Sequence, residues 1–291
     1  MPSRAHLLGD FMVISFHTME TQIKTKKSIE IHDRPGNYWS DEQRITYTTD
    51  LRALGSECLS PLPEYQCFST AKDAFDDKLL VIVRNHTSKV IAFTSALYMD
   101  VPQVGFVLHT GLTCVAPQAR NGRLTMLLFY KAFTYMTTKY PQGFWITNLG
   151  EGLSGLANIG RLAKQVYPSP YTSQPSATHL AIAADVSANW RSQMRISSNA
   201  YFDKDNFVFR TSNPHGSPFR KDMDDSTFHH REQKENDFYK ALVRPNHGDE
   251  VLQVGYIDPE WNRIRNLQEV VAMVRIPYSL SIPSSQLYCI C

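Results

Sequence analysis

The chain has no paired-cysteine motif. Its five cysteines, Cys58, Cys67, Cys114, Cys289 and Cys291, are odd in number and scattered, with no C-x-x-C pair. That excludes a zinc ribbon and a thiol redox pair, and it points to a reducing, cytoplasmic setting. Long apolar runs are missing too. Nothing approaches the roughly 18 residues of a membrane span, and the apolar opening LLGDFMVISF is interrupted by Asp10 with no small-residue cleavage site behind it, so neither an anchor nor an export signal is expected. The closing Cys-Ile-Cys is not a prenylation box, because the cysteine of such a box would fall on Tyr288. Charge of one sign is also lacking: 30 Lys and Arg against 28 Asp and Glu leave a net charge of +2. No general field draws nucleic acid or an acidic membrane, and any anion must be held by a local site. The phosphate-loop pattern G-x-x-x-x-G-K-[ST] and the dinucleotide pattern G-x-G-x-x-G are both absent, as are internal repeats and low-complexity tracts.

What is present is a core-forming chain of 291 residues, 42% hydrophobic, enough for one large domain. Residues 1–27 read as a poorly anchored tail and 28–291 as a single domain of mixed α/β (α+β) class. In that domain a mostly antiparallel sheet is flanked by helices and extended by an enlarged C-terminal half. SIEIHDR predicts a strand. SDEQRITYTTDLRALG predicts a helix opened by a capping box, Ser40 with Gln43, and carrying Ile45, Leu51 and Leu54 on one face. KLLVIVRN, KVIAFTSALYMDV and VGFVLHTGLTCVA predict an antiparallel meander, and GRLTMLLFYKAFTYMTTKY a buried helix. GFWITNLG returns as a strand, which makes a right-handed parallel crossover, and SGLANIGRLAKQV follows as a helix stopped at Tyr167 by Pro168. Beyond it, HLAIAADVSANWRSQMRI predicts a helix, NFVFRTS and EVLQVGYI two strands that add to the same sheet, and Pro259 opens a last helix.

One turn stands out, in GLTCVAPQARNGRLTMLLFYKAF. A strand that ends in proline and turns into a helix leaves backbone N–H groups unpaired at the positive end of the helix dipole. Arg120 and Arg123 add guanidinium groups there, and Asn121 and Gly122 permit close or left-handed backbone, so the turn is suited to a pyrophosphate.

On these residues the sequence resembles the GNAT superfamily of acyl-CoA-dependent N-acetyltransferases. The order meander, turn, helix, strand, helix over residues 79–168 matches, and so does part of the segment V-x-P-x-x-R-G-x-G-x-G/A. Val115, Pro117 and Arg120 stand in place, with Leu128 at an aliphatic helical position. The pattern departs where Asn121, Arg123 and Thr125 replace glycines and Gly122 falls one place early. A second motif is Asn158 early in the next helix, followed by Tyr167.

The resemblance implies direct attack of an amine on acetyl-CoA, bound as a co-substrate with no metal. Main-chain groups of Leu112, Cys114 and Val115 would hold the pantetheine, with Cys114 as wall. Arg120, Asn121, Gly122, Arg123, Leu124 and Thr125 would hold the pyrophosphate, and Asn158 would add to the cofactor site. His109 is the implied proton relay, Glu151 the alternative base and Tyr167 the acid for the leaving thiolate. Two other readings are carried: a catalytically silent CoA-binding or interaction module of the same fold, and a hydrolase built on Ser154 in GLSGL, which lacks the final glycine of a nucleophile elbow. FHHRE at 228–232 reads as a solvated polar segment, since adjacent histidines on a regular element point apart.

Overall fold

A computed structural model describes residues 27–120, 122–264 and 269. Residues 1–26 of the predicted tail, Asn121 and the closing cysteines lie outside them. Nine strands form one sheet in the order β1, β2, β3, β4, β5, β9, β8, β7, with β6 also paired to β9. They are β1 Ser28–Asp33, β2 Lys78–Arg84, β3 Val90–Val101, β4 Gly105–Val115, β5 Phe144–Gly150, β6 Lys164–Tyr167, β7 Tyr201–Asp203, β8 Val208–Arg210 and β9 Glu250–Ile257. Among the described residues only β4 and β5 pair in parallel. The fold is therefore mixed, with a mostly antiparallel open sheet, and five α-helices flank it among the described residues: α1 Asp41–Cys58, α2 Leu124–Lys139, α3 Leu153–Leu162, α4 Ala177–Asn189 and α5 Gln233–Leu242.

α1 begins at the expected capping box, with Ser40 accepting from the Gln43 amide at 3.1 Å and Gln43 Oε1 accepting from the Ser40 amide at 2.9 Å. Its inner stripe is Thr48, Leu51, Leu54 and Gly55, whereas Ile45 is 52% exposed. Six residues of α-helix turn through about 600°, so Ile45 stands about 120° away from Leu51 rather than beside it. α2 buries nine of its residues.

The helix read over SGLANIGRLAKQV stops at Leu162, and Lys164–Tyr167 is strand β6. Ala163 is already extended, φ -107 and ψ 156, and ends the helix, and Ala163 and Val166 close onto Gly255 of β9, where a Cβ would meet them at 3.0 and 2.9 Å. The polar stretch from Asn213 onward also holds a helix that the sequence reading passed over, α5, which buries Glu235, Asn236 and Tyr239. The turn after Pro259 is a short 3-10 helix, Pro259–Arg263.

The two sheet faces are distinct. Leu97, Met99, Val107, Leu149, Leu252 and Val254 pack with Ile182, Ala183 and Val186 of α4. From the alternate positions Tyr98, Leu108 and Ile146 pack with Leu128, Phe133 and Met136 of α2.

Candidate functional site

The site is built where β4 leaves β5. Their ladder holds for three pairs, Val107 with Trp145, Leu108 with Ile146 and His109 with Thr147, and β4 then runs on to Val115 without it. Gly111 marks the divergence. It takes φ 62 opposite a register shift between Ser95 and Leu97 of β3, and a Cβ there would lie 1.9 Å from the Ser95 carbonyl oxygen. Where the backbone ladder ends, side chains take over: Thr110 Oγ1 donates to Asn148 Oδ1 at 3.0 Å, and Asn148 Nδ2 donates to Gln253 Oε1 at 3.0 Å. Gln253 Nε2 in turn donates to the Tyr239 hydroxyl at 2.7 Å and the Leu156 carbonyl at 3.1 Å. This buried chain fixes the width of the wedge between β4 and β5. None of its members was singled out from the sequence, because its four links lie on β4, β5, β9 and α5.

Along the wedge, Leu112 and Cys114 turn their side chains into the core, leaving main chain to face β5, while the Val115 carbonyl accepts from Cys58 Sγ at 3.3 Å. The wedge opens toward the start of α2. There Arg123 is the N-cap in left-handed geometry, φ 58 and ψ 21, and makes no side-chain cap. Its carbonyl accepts from Leu127 at 3.0 Å, so the first-turn amides of Leu124, Thr125 and Met126 have no intrahelical acceptor. Arg120 is half-buried, and its Nε is enclosed without a partner among the described residues. Gly122 is exposed, Leu124 buried and Thr125 half-buried. Asn158 is nearly buried in the middle of α3.

The three expected catalytic side chains are not gathered together. Lys78, Leu97, His109, Thr147, Val254 and Tyr167 are successive register partners across β2, β3, β4, β5, β9 and β6, so they share one face in a row. Three strand spacings, about 15 Å, therefore separate His109 from Tyr167. Tyr167 stands on a strand, not at a helix end, and its hydroxyl donates to the Asp205 carbonyl at 3.1 Å. His109 is 4% exposed, with Nδ1 3.0 Å from Thr147 Oγ1. Burial, with the nearby Lys78 charge adding, lowers its pKa to about 4 against the weaker opposing pull of the Thr147 contact.

Glu151 differs from both. It sits just past β5, 2% exposed, and accepts from the Lys221 amide at 3.3 Å. Because Gly150 pairs with Val251, Glu151 stands opposite Glu250, which accepts from the Ser212 hydroxyl. Burial, against the Lys221 hydrogen bond and with the Glu250 charge adding, raises Glu151 to about 7. Burial also raises Glu250. The carboxyl pair is thus a proton-holding group beside the wedge, and its second member was not legible as a site residue, because it is defined by a cross-strand register.

Ser154 lies in the first turn of α3 and makes no side-chain hydrogen bond among the described residues. FHHRE is not a solvated stretch throughout: His230 is buried, its Nδ1 accepting from the Glu232 amide at 3.2 Å, and His229 bonds the Met223 carbonyl at 2.8 Å. No group of three or more His, Cys, Asp or Glu suited to a metal ion occurs among the described residues. No helix among them is long and apolar enough to cross a membrane.

No protein-family model and no curated protein matches the chain. Among solved structures, that of L-PGS from Bacillus licheniformis matches 40% of this chain at 14% identity with a TM-score of 0.27, and the match spans 33% of that protein's own chain. A likeness of that degree bears on neither fold nor function.

Proposed function

We propose that the chain is a GNAT-type N-acetyltransferase that moves an acetyl group from acetyl-CoA to an amine. The observation that carries this reading is the wedge. A parallel strand pair parts after three residue pairs, and the gap leads to an uncapped helix start flanked by Arg120 and Arg123. An extended thiol arm fits between parted strands, bonded by the main chain of β4 around Leu112, Cys114 and Val115. Its diphosphate end would meet the α2 amides, where Arg120 carries an N–H with no acceptor among the described residues.

In the proposed reaction the acceptor nitrogen attacks the thioester carbonyl carbon, the C–S bond breaks, and the sulfur leaves with CoA. One proton passes from the nitrogen to a base. Glu151 suits that role better than His109, since a carboxyl near pH 7 is matched to neutral solution and an imidazole held near 4 is not. Tyr167 is engaged with Asp205, and the proposal gives it no part.

Calorimetric titration with acetyl-CoA tests the reading. The wild-type chain should bind, and Arg120→Glu should weaken binding by at least tenfold, because a carboxylate then faces the diphosphate. Equal affinities would sink the assignment. Binding without transfer to any amine would leave the silent CoA-binding module of the same fold.

A further inference from the structure

A cleft of about 550 Å³ opens on the His109 face of the sheet, between the α1–β2 connection and the segment after α4. Lys78 forms part of its lining. Along the sheet row only Leu97 stands between Lys78 and His109, so the cleft lies about two strand spacings, roughly 10 Å, from the line where β4 and β5 part. Its walls carry both signs of charge. Glu64 and Asp73 form no ion pair among the described residues, and neither do Arg52 and Arg195. Lys78 is ion-paired with Asp77. A lone anion or a lone cation would satisfy one pair and be repelled by the other, whereas a molecule with both charges satisfies both.

A second observation points to a donor-bearing ligand. Gln193, in the wall, has its side-chain oxygen Oε1 enclosed and without a hydrogen-bond partner among the described residues. A buried acceptor left unpaired is costly, and rotation of the Gln193 side chain into the cleft would let an N–H or ammonium group there relieve it. The volume is of the order that holds a small molecule.

We infer that this cleft binds a small zwitterion of the amino-acid class. The carboxylate lies toward Arg52 and Arg195, and the ammonium toward Glu64, Asp73 and the Gln193 oxygen. In calling this ligand the acceptor, the inference rests on the transferase reading. The binding itself does not.

The test is calorimetry on the full chain with each of the twenty amino acids singly at about millimolar concentration, and with butylamine and acetate as single-charge controls. At least one amino acid should bind, and both controls should bind at least tenfold more weakly. Arg52→Gln and Asp73→Asn, both exposed positions, should each weaken it by roughly tenfold. Acetyl-CoA affinity should be unchanged in both variants. Absence of binding by every amino acid, equal binding by a control, or binding untouched by both substitutions would overturn the inference. Arg120→Glu should leave amino-acid binding intact, so failure of the transferase reading and failure of this one are separate results.

Discussion

In the proposed reaction two side chains compete for one proton, and pH tells them apart. The fold holds His109 neutral down to about pH 4 and holds Glu151 protonated up to about pH 7. A base must be deprotonated to act, so a Glu151 base gives kcat/KM a limb rising through pH 7, and a His109 base gives one near pH 4. Glu151→Gln should remove the neutral limb and lower kcat by roughly 10²- to 10⁴-fold, while His109→Gln should leave the limb in place. The reverse pattern would return the role to His109. Stability gives an independent reading. Raised above its ordinary 4.5, the Glu151 carboxyl costs the fold nothing below that pH, and an increasing amount up to about pH 7. Above that the full cost, about 3 kcal/mol, is present. Glu151→Gln should therefore melt higher than wild type at pH 8 and equally at pH 4, gaining stability as it loses activity. A variant less stable at pH 8 would show that the carboxylate is favourably bound instead.

At the scale of elements, the wedge depends on Gly111. Only a residue without Cβ can hold φ 62 with the Ser95 carbonyl 1.9 Å from where that atom would be. Gly111→Ala should cost on the order of 3 kcal/mol or more in denaturant unfolding, as β4 either shifts against β3 or loses its divergence from β5. A cost under about 1 kcal/mol would mean that the strands part for another reason. Arg123 shows the opposite choice, since a bulky residue occupies the left-handed position that opens α2. These details explain what the sequence could convey. The capping box at Ser40, the all-round apolar pattern of α2 and the β-branched runs of β2, β3 and β9 are local signals, and the elements formed there. β6 carries a helical pattern in sequence, and its strand form is imposed by Gly255, some ninety residues further on. α5 was missed because its buried face contains Glu235 and Asn236, which look solvated in sequence. Within the candidate site, the strand end at Val115 and the helix start near Leu124 were legible. The Thr110–Asn148–Gln253 chain and the Glu151–Glu250 pair were not, being products of register.

For the whole molecule, the question is whether the C-terminal half is an appendage or part of the core. Its strands answer through β9, which pairs with β5 over seven residues, from Phe144 with Ile257 to Gly150 with Val251. On its other edge β9 carries β8 at its start and β6 further along. β5 has only three pairs with β4 on its opposite side, so β9 supplies most of its hydrogen bonds. Removing β9 would strip those bonds, uncover Ile146 and Leu149, and leave the Asn148 amide without Gln253. A chain truncated after residue 170 should therefore fail to form fixed tertiary structure, read as loss of near-ultraviolet circular dichroism. In the intact chain both halves should come apart together in denaturant. Two tryptophans make this measurable, since Trp39 packs in the core of the first half and Trp190 is held by Asp185 of α4 in the second. Variants keeping only Trp39 or only Trp190 should give coincident fluorescence transitions. Separated midpoints, or a protease-resistant fragment that ends near residue 170 and keeps its near-ultraviolet signal, would divide the chain into two domains. The cleft between the α1–β2 connection and the segment after α4 would then lie at the junction between them.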